Sequence, residues 1–151
     1  MVFLTESRLR HRLVASLHVE AMLLADEARS YFDEAGRAER EALSPLDRVG
    51  FSCESLKVTT RLMHVIAWLL TQRAVTAGEL RPGDALHPSR RLGDAPRSDE
   101  GVVALLPVRA RLLIAGSIDL YRRVARLDSA QEEGASDSPV RSLQQRLALA
   151  F

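Results

Sequence analysis

The chain has 151 residues, which allows one domain with a substantial core, or a smaller domain with a tail. Its composition, 46% hydrophobic and 27% charged, is typical of a soluble globular protein. The formal net charge of +1 argues against binding to nucleic acid or acidic lipid that depends mainly on charge. The single cysteine, Cys53, excludes an intramolecular disulfide and fits a reducing compartment.

No targeting or membrane segment is predicted. The N-terminal stretch MVFLTESRLRHRL lacks the uninterrupted apolar run of a signal peptide. The apolar run at residues 62–70 includes a histidine and is much shorter than the roughly 20 residues of a membrane span. The expected location is the cytoplasm.

A first helix is predicted from about Thr5 to about Asp33, with Gly36 as its stop. Charged residues on one side suit solvent. Apolar residues recur every three or four positions on the other side: Leu9, Leu13, Leu17, Met22 or Leu24, Ala28, and Tyr31 or Phe32.

The second helix is predicted from Ser44 to Gly78 and is the central rod of the bundle. Ser44 suits a cap, Pro45 the first helical position, and Asp47 the acid of a capping box. Gly78 tolerates the positive φ that ends many helices. Because its middle is apolar nearly all round, neighbours must cover it on several sides.

Two apolar stripes run along this second helix. The first has the regular four-three spacing of a bundle seam, and the second needs a different partner. The first stripe is Val49, Cys53, Leu56, Thr60, Met63, Ala67, Leu70, Ala74 and Ala77; the second is Phe51, Val58, Leu62, Val65 or Ile66, and Leu69.

Residues 79–100 contain several prolines and glycines, which predicts a turn of helix at Pro82–Leu86 and then an exposed loop. A loop of this length is either functional or poorly ordered. A third helix begins at Leu106-Pro107, or at 98–100 with Pro107 as an internal break. Its buried stripe is Leu106, Ala110, Leu113, Ser117, Leu120 or Tyr121, Val124 and Leu127.

The end of the chain reads as a tail. Residues 128–138, DSAQEEGASDS, are polar and acidic and predict a linker. Ser138-Pro139 then suits the start of a short helix, which must dock on the bundle or a partner or stay mobile. The predicted organisation is a three-helix bundle domain at residues 1–127 and a linker with a short tail at residues 128–151. The fold class is all-α, an antiparallel three-helix bundle with long helices that forms a dimer.

The usual catalytic constellations are missing, so the protein is expected not to be an enzyme. Cys53 and His64 lie about 16 Å apart along one helix and cannot touch within one chain. His11 and His18 share a helical face without enough further ligands for a metal. No catalytic, cofactor-binding or metal-binding residue is therefore predicted, and no cofactor.

Polar residues beside the apolar centre leave two interpretations open. Thr59 and Thr60 bond back to helix carbonyls while Arg61 points outward, or Glu54, Arg61 and Arg73 form ion pairs across a helix or subunit interface. Trp68 is a core residue or a partner-binding anchor. The candidate interface or core residues are Cys53, Leu56, Thr60, Arg61, Met63, Ala67, Trp68 and Leu70.

Arginines dominate the rest of the third helix. The candidate partner surface comprises Arg109, Arg122, Arg123 and Arg126, together with Arg91 from the loop. A helix-turn-helix reader needs two short helices and a tight turn, which this pattern does not give. No nucleic-acid partner is expected.

The second helix resembles that of the RcdA family, the alphaproteobacterial regulators of CtrA degradation. The resemblance rests on ESLKVTTRLM at 54–63, AWLL at 67–70, QRA at 72–74 and GE at 78–79. Weaker similarity lies in ARSYF at 28–32, RLG at 91–93, LP at 106–107 and RVARL at 123–127.

The resemblance implies a cytoplasmic, non-enzymatic adaptor with a dimeric three-helix bundle. Such an adaptor helps to deliver CtrA and other cargo to the ClpXP protease, together with a response-regulator protein and a cyclic-di-GMP-binding protein. Its mechanism is tethering, which raises the local concentration of cargo. The alternatives are a helical nucleic-acid-associated regulator, whose affinity would fall steeply with salt, and a helical protein that senses a small molecule.

Overall fold

The computed structural model describes residues 2–136 and 139–150. The helices are α1 (Val2–Ser30), α2 (Arg37–Glu41), α3 (Pro45–Thr76), α4 (Glu100–Val103), α5 (Val108–Ser136) and α6 (Pro139–Ala150). A π-helical turn at Tyr31–Ala35 follows α1, and 3₁₀ turns lie at Asp84–Leu86 and Pro88–Arg90. The predicted all-α bundle with long helices is confirmed.

The predicted ends of the central helix are also confirmed. The Asp47 backbone N–H donates to Ser44 Oγ at 3.2 Å, and Pro45 is the first residue of α3. Gly78 follows the helix with φ of 77°, a conformation that glycine adopts without a Cβ clash. Gly36 is also confirmed as a stop, since the π-helical turn that follows α1 ends at Ala35 with Gly36 as its cap. A Cβ at position 36 would lie 2.7 Å from the Tyr31 carbonyl oxygen, which favours glycine there.

α1 runs antiparallel to α3 and to α5, as expected, but α3 and α5 run parallel to each other. Two long-range hydrogen bonds show this direction: Arg61 donates to Ser117 at 3.3 Å, and Trp68 donates to Asp128 at 3.0 Å. The residue numbers increase in the same direction along both helices. The chain between α3 and α5 must therefore return along the full length of the bundle. This return is why the long loop exists.

The core lies where α1, α3 and α5 meet. From α3 it takes Phe51, Val58, Leu62, Val65, Trp68 and Leu69, which includes most of the second stripe. The four-three stripe, expected to be the bundle seam, lies outside: Val49, Leu56, Met63 and Leu70 are exposed. On α1 the core takes Val14, Leu17, Ala21 and Ala28, whereas Leu9, Leu13 and Met22 are exposed.

The structure has a helix at each of the two starts considered for the third predicted helix, the short α4 and the long α5. Asp99 caps the short α4 by accepting from the N–H groups of Gly101 and Val102, and Pro107 separates α4 from α5. α5 then continues to Ser136, so the predicted linker is wrong for residues 128–136. Residues 137 and 138 lie outside the described part of the chain. α6 confirms the short terminal helix, and its Leu143, Leu147 and Leu149 are exposed rather than docked.

Candidate functional site

The outer face of α3 is an exposed apolar repeat. We define it as Val49, Cys53, Leu56, Thr60, Met63, Ala67 and Leu70. Val49, Leu56, Met63 and Leu70 keep 60, 68, 66 and 50% of their surface exposed. Cys53 and Ala67 are exposed too, and Thr60 is half-buried. A contiguous apolar surface of this kind is typical of a contact with another molecule.

An apolar groove adjoins this outer face. It lies between α1 and α3, has a volume of about 320 Å³, and is lined by Ala25, Phe32, Leu62, Met63 and Ile66 among others. Met63 belongs to both the outer face and the groove. A partner helix laid on the outer face could therefore also fill the groove.

On the opposite side of α3, an extended segment is fastened to the bundle. We call residues 91–99 the strap. At its start, Arg91 binds both carboxylate oxygens of Asp128 at 2.9 Å and contacts Glu132 at 2.9 Å. Trp68 Nε1 donates to Asp128 Oδ1 at 3.0 Å. Trp68 is thus a core residue, and hydrogen bonds to Asp128 and Glu132 raise the pKa of Arg91.

The middle of the strap lies between α3 and α5. The Tyr121 hydroxyl donates to the Gly93 carbonyl at 2.7 Å. A Cβ on Gly93 would lie 2.4 Å from His64 Nδ1, so only glycine lets the backbone approach this close without a shift. His64 is half-buried under the strap. Burial, followed by the charge of Asp94, raises the pKa of Tyr121.

The end of the strap contacts two buried charged side chains of α3, Arg61 and Glu54. Arg61 donates to the Pro96 carbonyl at 3.1 Å, to Ser98 Oγ at 2.7 Å and to Ser117 Oγ. Ser98 in turn donates to Glu54 at 2.5 Å. Ser98 therefore connects the guanidinium to the carboxylate.

Glu54 has two more donors. Lys57 Nζ contacts it at 2.8 Å, and the Asp99 backbone N–H donates to it at 3.2 Å. Burial alone would raise the pKa of Glu54, but the bonds from Lys57, Ser98 and Asp99 outweigh burial and lower it. Burial also lowers the pKa of Arg61, and the charge of Glu54 opposes that decrease.

These contacts resolve the two interpretations of the polar residues. Thr59 and Thr60 donate to the carbonyls of Ser55 and Leu56, as the first interpretation expected. Arg61 does not point outward; it is coupled to Glu54 within the chain, through the strap. Arg73 instead donates to His18 Nδ1 at 3.3 Å.

The candidate partner surface divides into paired and unpaired arginines. Arg91 is fastened to Asp128, and Arg123 bridges Glu20 and Asp119. The Arg109 guanidinium lies 4.9 Å from the centroid of the Tyr31 ring. Arg122 and Arg126 are exposed and form no ion pair with the residues that the structure describes. Three of the five arginines therefore already have a partner within the chain.

Three observations bear on other kinds of site. Among residues 2–136 and 139–150, no three His, Cys, Asp or Glu side chains converge as a metal would require. Within the same residues, no helix is long and apolar enough to cross a membrane. Cys53 lies on the outer face, whereas His64 contacts the strap.

Sequence reasoning missed the roles of Asp128 and Ser98, and it placed Ser117 on the buried stripe of the third helix without its contact to Arg61. A signal for Asp128 existed, because the buried positions 117, 120 and 124 continue to 128 at helical spacing. Because the residues that follow Asp128 are acidic and polar, this part of the helix was predicted as a linker. Ser98 had no local signal, since its partners Glu54 and Arg61 are 44 and 37 residues away.

The fold and these surfaces define an all-α protein with an exposed apolar repeat on its central helix and a strap fastened by buried charges. The family model described as "Protein of unknown function (DUF1465)" matches residues 5–151. The crystal structure of RcdA from Caulobacter crescentus CB15 is 35% identical in sequence, with a TM-score of 0.65. The match covers 79% of this chain and 90% of that one.

The chain accordingly belongs to the RcdA family, which confirms the resemblance found in the second helix. No curated protein matches the sequence.

Proposed function

We propose that the protein is a non-enzymatic adaptor for regulated proteolysis. Membership in the RcdA family supports this role, because the family resemblance implies delivery of CtrA-like cargo to the ClpXP protease. The single structural observation that carries the proposal is the outer face of α3, an exposed apolar repeat that needs another polypeptide chain to cover it, as expected of a protein that works by assembling with others. A response-regulator protein and a cyclic-di-GMP-binding protein are the proposed companions, and the cytoplasm is the proposed location.

The proposed occupant of the outer face is a second copy of this chain. Large residues (Val49, Leu56, Met63, Leu70) alternate with smaller ones (Cys53, Thr60, Ala67) at four-three spacing. In a two-fold dimer the same face meets itself, so large side chains of one copy can pack against small ones of the other. The resulting dimer would leave the strap and the arginines of α5 open to cargo.

The dimer is tested by Met63→Asp. A carboxylate at the centre of the outer face would have to be buried in the dimer, so we expect a monomer by sedimentation velocity. Leu112→Asp is the matched control, because Leu112 on α5 is 67% exposed against 66% for Met63. Both variants keep the monomer core, so the helical circular dichroism should not change. A Met63→Asp protein with the mass of the unsubstituted protein would contradict the proposed interface.

The adaptor role is tested by reconstituted degradation. We expect the protein, with its response-regulator and cyclic-di-GMP-binding partners, to accelerate degradation of a CtrA-like cargo by ClpXP. The reaction without the protein is the baseline, and a cargo with an independent ClpXP tag controls for direct effects on the protease. Equal cargo half-lives with and without the protein would refute this role, whatever its oligomeric state.

A further inference from the structure

A second, polar groove lies between the strap and α5. Its volume is about 680 Å³, within the range of small-molecule sites in proteins. Ile118 and Ala95 supply apolar lining, and the charged side chains lining it include Arg61, Arg97 and Arg122. None of these three belongs to the outer face of α3. The groove is therefore separate from the proposed dimer interface.

The buried Arg61 gives this groove an excess of positive charge. Arg61 is 3% exposed and has no carboxylate within 4 Å among the described residues. Its acceptors are neutral: two serine hydroxyls and one carbonyl. Glu54, which Arg61 reaches only through Ser98, is already paired with Lys57. One buried carboxylate thus serves two cations, which leaves a positive charge unbalanced.

The other charged groups of the groove do not remove the excess. Arg97 and Arg122 are exposed and form no ion pair with described residues. Two carboxylates, Asp94 and Glu100, also line the groove. They match the two exposed arginines in number, so the charge of the Arg61 cluster remains. Guanidinium groups bind both carboxylates and phosphates through two parallel hydrogen bonds, which a compact charge such as an ammonium group does not provide.

We propose that this groove binds a small anionic molecule that carries carboxylate or phosphate groups. The exposed guanidinium groups of Arg97 and Arg122 hold the oxyanion, the buried Arg61 supplies attraction from the wall of the groove, and Ile118 contacts the apolar part of the ligand. The proposal does not depend on the adaptor role. It uses the strap as part of a binding site rather than only as a connection.

The test titrates the full-length protein with citrate and, separately, with pyrophosphate, at a constant salt concentration of about 0.15 M that screens diffuse attraction. Calorimetry gives the affinity, and amide and arginine Nε–H resonances give the location. We expect saturable binding with shifts confined to the strap and the facing turns of α5. The Arg97→Gln/Arg122→Gln protein should bind at least about tenfold more weakly, since it loses two charge-assisted contacts.

The control is Arg12→Gln/Arg40→Gln, which removes the same charge from exposed positions on α1 and α2. This control should bind like the unsubstituted protein. Tighter binding of pyrophosphate would assign a phosphate ligand, and tighter binding of citrate a carboxylate. Failure of both probes to saturate, equal weakening in the two double variants, or shifts spread over the whole surface would overturn the proposal.

Discussion

Glu54 shows how a carboxylate can be buried in this bundle. It is 1% exposed, yet Lys57, Ser98 and the Asp99 N–H all donate to it. The three donors come from two places in the sequence, one on α3 itself and two at the end of the strap. The charge of Glu54 therefore links the central helix to a segment more than 40 residues away.

We expect Glu54→Gln to lower the free energy of unfolding by about 2–4 kcal/mol near neutral pH, because it leaves the buried Arg61 and the half-buried Lys57 less compensated. The folded-state pKa of Glu54 is depressed. Its contribution is thus complete above the ordinary pKa of 4.5 and is lost as pH falls through the lower folded value. Urea unfolding at several pH values should show the two proteins converging below about pH 4.

Glu27→Gln is the control, because Glu27 is exposed on α1 and should change stability by less than about 0.5 kcal/mol. A stability difference for Glu54→Gln that stays constant down to about pH 3 would show that its charge does not stabilise the fold.

At the scale of the elements, the strap depends on its first residue. Arg91 and Arg90 are neighbours in sequence, but only Arg91 has an ion pair in the described chain. Arg91 carries the bidentate contact with Asp128, the same carboxylate that accepts from Trp68. Removal of the Arg91 guanidinium should release the strap without removing any core side chain.

We expect Arg91→Met to increase the rate of tryptic cleavage after Arg97 by about tenfold, the effect of making local opening about 1.4 kcal/mol easier. Mass spectrometry of timed digests measures the cleavage. Arg90→Met, which removes an adjacent arginine that forms no ion pair with the described residues, should leave that rate unchanged. Equal rates in the two variants would mean that the strap is held by its other contacts alone.

The sequence predicted where the helices begin and end better than it predicted which helix faces pack against each other. Ser44 and Gly78 marked the ends of α3 because capping is local chemistry. Both apolar stripes were detected, yet their roles were exchanged: the regular stripe is exposed and most of the other is core. Periodicity reports that a face is apolar and cannot report what covers it. Arg61 and Glu54 could not be placed, because their contacts depend on the path of the strap.

At the scale of the whole molecule, the boundary of the folded bundle lies beyond Asp128. Asp128 is buried and binds both Trp68 and Arg91, and Gln131 bonds Gln72 at 3.2 Å. By contrast, the leucines of α6 are exposed. The stable unit therefore includes α5 as far as its contacts with α3 extend.

We expect a chain truncated after Ser136 to keep its melting temperature within about 2 °C. A chain truncated after Leu127 loses Asp128, which leaves Trp68 Nε1 and Arg91 without their acceptor, and should melt about 10 °C lower. Differential scanning calorimetry compares the two. A large decrease for the longer chain would show that α6 packs on the bundle in solution.

The parallel course of α3 and α5 has a consequence for biosynthesis. α1 and α3 are joined by a short connection and can pair as soon as Thr76 leaves the ribosome, whereas α5 begins only after residues 77–107 have followed. During that interval the side of α3 that α5 will cover is open to water, and closing a long loop onto it costs entropy. We expect the α1–α3 hairpin to form first. The side of α3 that α5 covers then stays exposed to solvent until α5 has been synthesised and packs against it.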